Sequence, residues 1–66
     1  MITISTQRFY EKHTGDPHEV TVKFRCRRYE IHVDGLFYSI HDKKADVYDE
    51  IVDIIKIYNW TPINPI

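Results

Sequence analysis

Sixty-six residues leave room for one domain, residues 1–66, with one modest core; at this size folding hides only about 60% of the surface that the unfolded chain exposes. A hydrophobic content of 42% with 14% aromatics excludes a disordered tail. Nine basic against ten acidic residues, a net charge of −1, argue against a generic nucleic-acid coat or a polybasic membrane binder.

In chain order, Ile2, Thr3, Ile4, Thr6, Phe9 and Tyr10 give residues 2–10 strand character, although nothing in the pattern settles whether this strand joins the sheet. Residues 12–18 read as a loop, with Gly15, Asp16 and Pro17 supplying turn chemistry. Val20, Val22, Phe24 and Cys26 then alternate with Thr21, Lys23, Arg25 and Arg27, the signature of a half-buried strand over 18–26. From Tyr29 onward the apolar positions become odd (Tyr29, Ile31, Val33). A regular strand cannot change parity, so a turn is expected at about 26–28. Asp34-Gly35 marks a two-residue hairpin turn, because both central positions need positive φ. It predicts strands over 29–33 and 36–41 in which Val33 faces Leu36, Ile31 faces Tyr38 and Tyr29 faces Ile40, all on one face.

Asp42 is the expected cap of a helix over 43–58. Val47, Ile51, Ile54, Ile55 and Tyr58 recur on one helical face. Asp46, Asp49, Glu50 and Asp53 load the N-terminal half with negative charge, and Lys56 sits near the other end, both in accord with the helix dipole. Asn59 suits a left-handed helix end, and Pro62 and Pro65 forbid continuation, so residues 60–66 are expected as an extended tail. The predicted fold class is α+β: an antiparallel β-meander of three to four strands with one C-terminal α-helix packed on one sheet face. The other face is left open.

By parity that open face presents Thr21, Lys23, Arg25, Arg27, Glu30, His32, Phe37, Ser39 and His41. Basic residues beside an aromatic can hold single-stranded nucleic acid through phosphates and stacking. Lys23, Arg25, Arg27, Arg28, His32 and Phe37 are the candidates, although with Phe37 as the one aromatic a solvated edge carrying Lys and Arg against aggregation is the better account of them. Ser39, His41 and Glu30 share the face without a pocket or an oxyanion donor, which gives no basis for a hydrolase. The four histidines and Cys26 lack metal-ligand spacing, and Cys26 is expected on the covered face as a small apolar residue. Gly15 and Gly35 stand alone in turns, so no phosphate loop exists. No cofactor and no metal is implied, and the chain is read as non-enzymatic.

The helix carries more apolar surface than one sheet needs. Tyr48, Val52 and Ile55 form a second stripe, Ile57 adds another group, and the tail holds Trp60, Ile63 and Ile66. Trp60 either caps the core or anchors a partner. The start of the chain lacks a basic segment followed by an apolar core, no apolar run approaches the ~20 residues of a membrane span, and a lone cysteine suits a reducing compartment. A cytoplasmic location without membrane contact is therefore expected. No motif is specific enough to name a family. In size and composition the chain resembles the many small proteins of bacteria and their phages, which implies binding to one host protein. The expected function is a small protein-interaction module, an inhibitor, adaptor or regulator, contacting another protein or a second copy through Trp60, Tyr48, Val52, Ile57, Arg25 and Arg27. The alternative is a nucleic-acid-binding module on the basic sheet face.

Overall fold

The computed structural model describes residues 2–63; the last part of the expected tail, residues 64–66, lies outside them. Strand β1 (Ile2–Glu11) runs into a tight loop and returns as β2 (Pro17–Arg25). The loop is closed by the Glu11 carboxylate, which accepts the backbone N–H groups of His13 at 3.2 Å and Thr14 at 2.8 Å. The parity change after Phe24 is a turn, as expected. Cys26 and Arg27 occupy it at φ of 52° and 62° and lead into β3 (Arg28–Val33). Asp34-Gly35, at φ of 53° and 83°, turns β3 into β4 (Leu36–His41), the primed-turn backbone that matches strand twist.

Helix α1 (Lys44–Tyr58) follows. Its N-cap is Lys43, with no side-chain hydrogen bond. Asp42, the predicted cap, lies one residue before the cap position because the helix starts at Lys44, and its carboxylate meets the Arg28 guanidinium at 3.1 Å. The other end stops as the sequence predicts: Asn59 is left-handed at φ 56°, and its N–H bonds the Ile55 carbonyl. This reversal aims Trp60 at the sheet, where β5 (Trp60–Pro62) pairs antiparallel with β1. What read as a tail is thus a fifth strand over its first three residues.

The sheet order is β4-β3-β2-β1-β5, all antiparallel neighbours. The α+β meander with one helix on one face is therefore as predicted, with β1 inside the sheet. Helix α1 begins beyond β4 and crosses the sheet to deliver β5 to the opposite edge. Under it the core unites Phe9, Val20, Val22 and Ile31 from the sheet, Val47, Ile51 and Ile54 from the helix, and Trp60.

The second half of β4 departs from the predicted register. Val33 faces Leu36 and His32 faces Phe37, but Ile31 faces Ser39 rather than Tyr38, and Tyr29 faces His41 rather than Ile40. Tyr38 is the extra residue of a β-bulge, and an inserted residue exchanges the faces of everything after it. Ser39 and His41 consequently turn to the helix side, while Ile40, opposite Glu30, turns to the open face. Leu36, Tyr38 and Ile40, expected beneath the helix, are 74%, 39% and 43% exposed. A second bulge lies between Thr3 and Ser5 in β1.

One substitution at two positions tests this register. Ile31 is fully buried, and Ile31→Ala should cost about 2–5 kcal/mol, a large part of the roughly 3–10 kcal/mol available to a domain of this size. Ile40→Ala should cost less than about 1 kcal/mol. Urea unfolding midpoints of the two variants decide it: equal losses would restore the unbulged pairing.

Candidate partner-binding surface

A sheet edge exposes unpaired N–H and C=O groups, and proteins ordinarily blunt it with short strands, proline or charge. The two edges differ in this respect. β5 is three residues long and contains Pro62. β4 has six residues, Leu-Phe-Tyr-Ser-Ile-His, without proline, lysine or arginine. Its side chains are apolar on both faces: Leu36 and Tyr38 on the helix side, Phe37 and Ile40 on the other, with Phe37 59% exposed.

At the Asp34-Gly35 end this edge opens into a groove of about 550 Å³ between strand and helix, whose apolar lining includes Val33, Leu36, Tyr38, Tyr58 and Trp60. Trp60 forms its floor. The indole stacks on His18 at 4.3 Å between centroids and on Tyr58 at 5.1 Å, and meets Phe9 at 5.9 Å. His18 is held in turn by Asp34, its Nδ1–H donating to Oδ2 at 2.8 Å, and the other Asp34 oxygen accepts the Glu19 N–H at 2.9 Å. Desolvation acts to raise the Asp34 pKa, but the bonds from His18 and Glu19 outweigh it and hold the carboxyl below its usual value. Tyr38, desolvated and facing Tyr58, Glu50 and Asp53, has its phenol pushed up and stays neutral near pH 7.

The residues predicted to meet a partner do not form one patch. Trp60 is only 8% exposed, so it closes the core, the first of its two expected roles, and cannot be a free anchor. Tyr48 and Val52 are exposed on the helix flank toward β1, where Tyr48 and Ile4 line a shallow depression. Ile57, also exposed, lies two helical turns from Glu50 on the opposite flank. Arg25 and Arg27 sit at the far hairpin tip with the exposed Cys26; the expectation of a covered cysteine fails because the turn takes it out of the strand. Leu36, Tyr38 and Ile40, expected beneath the helix, and Phe37, expected on the open face, are not among the predicted partner contacts, yet all four are exposed along β4. The sequence signal for them is the unbroken run Leu36-Phe37-Tyr38, which violates the alternation of a one-sided strand.

The nucleic-acid candidates are also rearranged. Lys23, Arg25, Arg28, His32 and Phe37 do share the open face, with Arg27 in the turn. Acids interrupt them: Lys23 is opposite Glu30, His32 Nε2 bonds Glu30 at 3.0 Å, and Arg8 lies 3.9 Å from Glu19. Phe37 takes an edge-on contact from His32, centroids 5.8 Å apart at 88°. The serine and histidine have moved to the helix side, away from Glu30. There His41 Nε2 meets both Ser39 Oγ at 3.3 Å and Glu50 Oε1 at 3.7 Å. A relay needs the acid and the hydroxyl on different ring nitrogens, so this trio has the wrong connectivity. Among the described residues no three His, Cys, Asp or Glu side chains converge on a metal position. Comparison of the chain with protein-family models, curated proteins and solved structures gives no match.

Two outcomes follow from this geometry. Asp34 has a lowered folded pKa, so its contribution is complete above the unfolded value of about 3.9 and is lost as pH falls through the lower folded value. Asp34→Asn should therefore reduce stability at pH 6 and flatten the acid limb of the stability profile below pH ~4; an unchanged acid limb in urea titrations would contradict the assignment. At the other turn, left-handed Cys26 and Arg27 cost about 1–2 kcal/mol each. A Cys26→Asn, Arg27→Gly double variant should gain about 1–2 kcal/mol in the same assay, and no gain would show that the turn carries no strain.

Proposed function

We propose that the chain is a small non-enzymatic protein-interaction module, an inhibitor, adaptor or regulator, whose contact surface is the β4 edge and the aromatic groove beside it. The observation that carries this reading is the unprotected edge strand with four large apolar side chains exposed on its two faces. An extended segment laid along β4 gains main-chain hydrogen bonds from the edge and side-chain contacts from both faces, the strand-addition mode of recognition. Leu36 and Tyr38 then take the anchoring place that the sequence offered to Trp60. Tyr48 and Val52 lie on the helix flank away from this strand, and Ile57 lies apart from them on the other flank, so the three add no single second surface. The two-signed charge, basic at the Arg25–Arg28 hairpin and acidic along α1, orients approach more than it adds affinity.

Selection of extended peptides from a random displayed library tests the reading. Selected binders should be apolar at alternate positions and should lose at least ~2 kcal/mol, about 30-fold in affinity, with Leu36→Lys in a chain that stays folded by circular dichroism. Binders indifferent to Leu36→Lys and Phe37→Lys would remove β4 as the contact surface.

A second reading, contact with nucleic acid, draws on the exposed arginines of the hairpin tip. Arg28 is engaged by Asp42, which leaves Arg25 and Arg27 for phosphates, too few for tight binding on their own. If they make such contacts, single-strand affinity should fall with salt at a log–log slope of about −0.7 per arginine. A mobility-shift titration in which no oligonucleotide is retarded at low salt would end this alternative.

A further inference from the structure

The buried core contains eight hydrophobic side chains, whereas twelve large hydrophobics are exposed among the described residues. A 66-residue chain with so little apolar surface hidden is one that gains from assembly. Four of the exposed groups (Tyr48, Val52, Ile57 and Tyr58) are spread over helix α1, and the sheet exposes others on two strands: the β4 edge, and the outer side of β1 near Ile2 and Ile4, which β5 leaves uncovered because it pairs only with Phe9, Tyr10 and Glu11. The β1 segment Ile2–Gln7 alternates its isoleucines with threonine, serine and glutamine, whereas β4 is apolar on both sides.

We propose that the partner of β4 is a second copy of this chain, paired antiparallel through β4 about a two-fold axis perpendicular to the sheet. The inference rests on the reading of β4 as a contact surface and adds the identity of its occupant. Its warrant is the order of faces along the strand. The bulge at Tyr38 leaves Leu36 on the helix side, Phe37 on the open side, Tyr38 and Ser39 on the helix side, Ile40 on the open side and His41 on the helix side. That sequence of faces reads the same in both directions.

In an antiparallel two-fold pairing each residue meets one on the same face. Only the register in which Leu36 opposes His41, Phe37 opposes Ile40 and Tyr38 opposes Ser39 satisfies this for the whole strand. Without the bulge, the same six positions would alternate strictly, and these three pairs would bring opposite faces together. In the matched register Phe37 and Ile40 of both copies form one four-membered apolar cluster on the open face, where each alone is half in water. The strand carries no lysine, arginine, aspartate or glutamate, so no like charges meet along the seam. The product is a ten-stranded sheet with both helices on one side, closed by its symmetry.

Sedimentation equilibrium of the full chain over a range of concentrations reads the mass directly. A rise from 8.0 kDa toward twice that value is expected, with Ile40→Lys folded yet monomeric and Ile2→Lys still dimeric. Register is read separately in a Cys26→Ser background. A mixture of Phe37→Cys and Ile40→Cys chains should form disulfide-linked heterodimers under mild oxidation, in excess of the homodimers that either forms alone. A wild-type chain that remains 8.0 kDa up to millimolar concentration would overturn the inference while leaving peptide binding to β4 free to succeed. A dimer that survives Ile40→Lys but dissociates with Ile2→Lys would place the seam on β1 and overturn it as well. Equal cross-linking of all cysteine pairs would refute the register, and with it the face-matching argument.

Discussion

The structure depends on where Trp60 goes. Helix α1 lies on the sheet through Val47, Ile51 and Ile54, and its far end is pinned by the indole, which packs on His18, Tyr58 and Phe9. Left-handed Asn59 turns the backbone so that Trp60 enters the core at the first residue after the helix. Three short β5 pairs with β1 then tie the last element to the first, which closes a chain of otherwise local hairpins. Asp34 extends the same contact network. By bonding His18 and the Glu19 N–H, it couples the β3–β4 turn to the start of β2 and so to the aromatic stack.

That closure has a consequence for the rest of the surface. A single helix crossing from β4 to β5 covers the middle of the sheet and leaves its corners bare. One corner is blunted by Pro62 and a short strand. The other, β4, keeps Leu36, Phe37, Tyr38 and Ile40 in contact with water. The exposed apolar surface of this fold is thus a by-product of the crossover, placed where the helix does not reach. The charged groups are arranged around it rather than on it: the arginine hairpin lies at the opposite end of β3 from the aromatic groove, and the helix acids line the flank above Tyr38.

Local chemistry made most of the architecture legible in the sequence. Alternation located β2 and β3, Asp34-Gly35 located the hairpin between β3 and β4, and the 3.6-residue apolar period located α1. The parity change at Cys26 announced a turn even without glycine or asparagine. Each of these signals is written in neighbours a few residues apart, where backbone sterics and side-chain periodicity act directly.

What the sequence could not express was decided by distant partners. β1 joins the sheet through its hairpin with β2, but that Trp60, about fifty residues later, would pair with its far end could not be read from either segment alone. Whether Asp42 capped the helix depended on where the first turn began, and it begins one residue too late for Asp42. The faces of Ser39, Ile40 and His41 depended on one extra residue in β4 being accommodated against β3, and a bulge leaves no mark in composition. The elements were thus determined along the chain, while the exposed site was determined by pairing register and by the path of the helix. A one-residue shift in a strand exchanges core for surface with almost no change in local energy, so only the packing of the whole chain can choose between them.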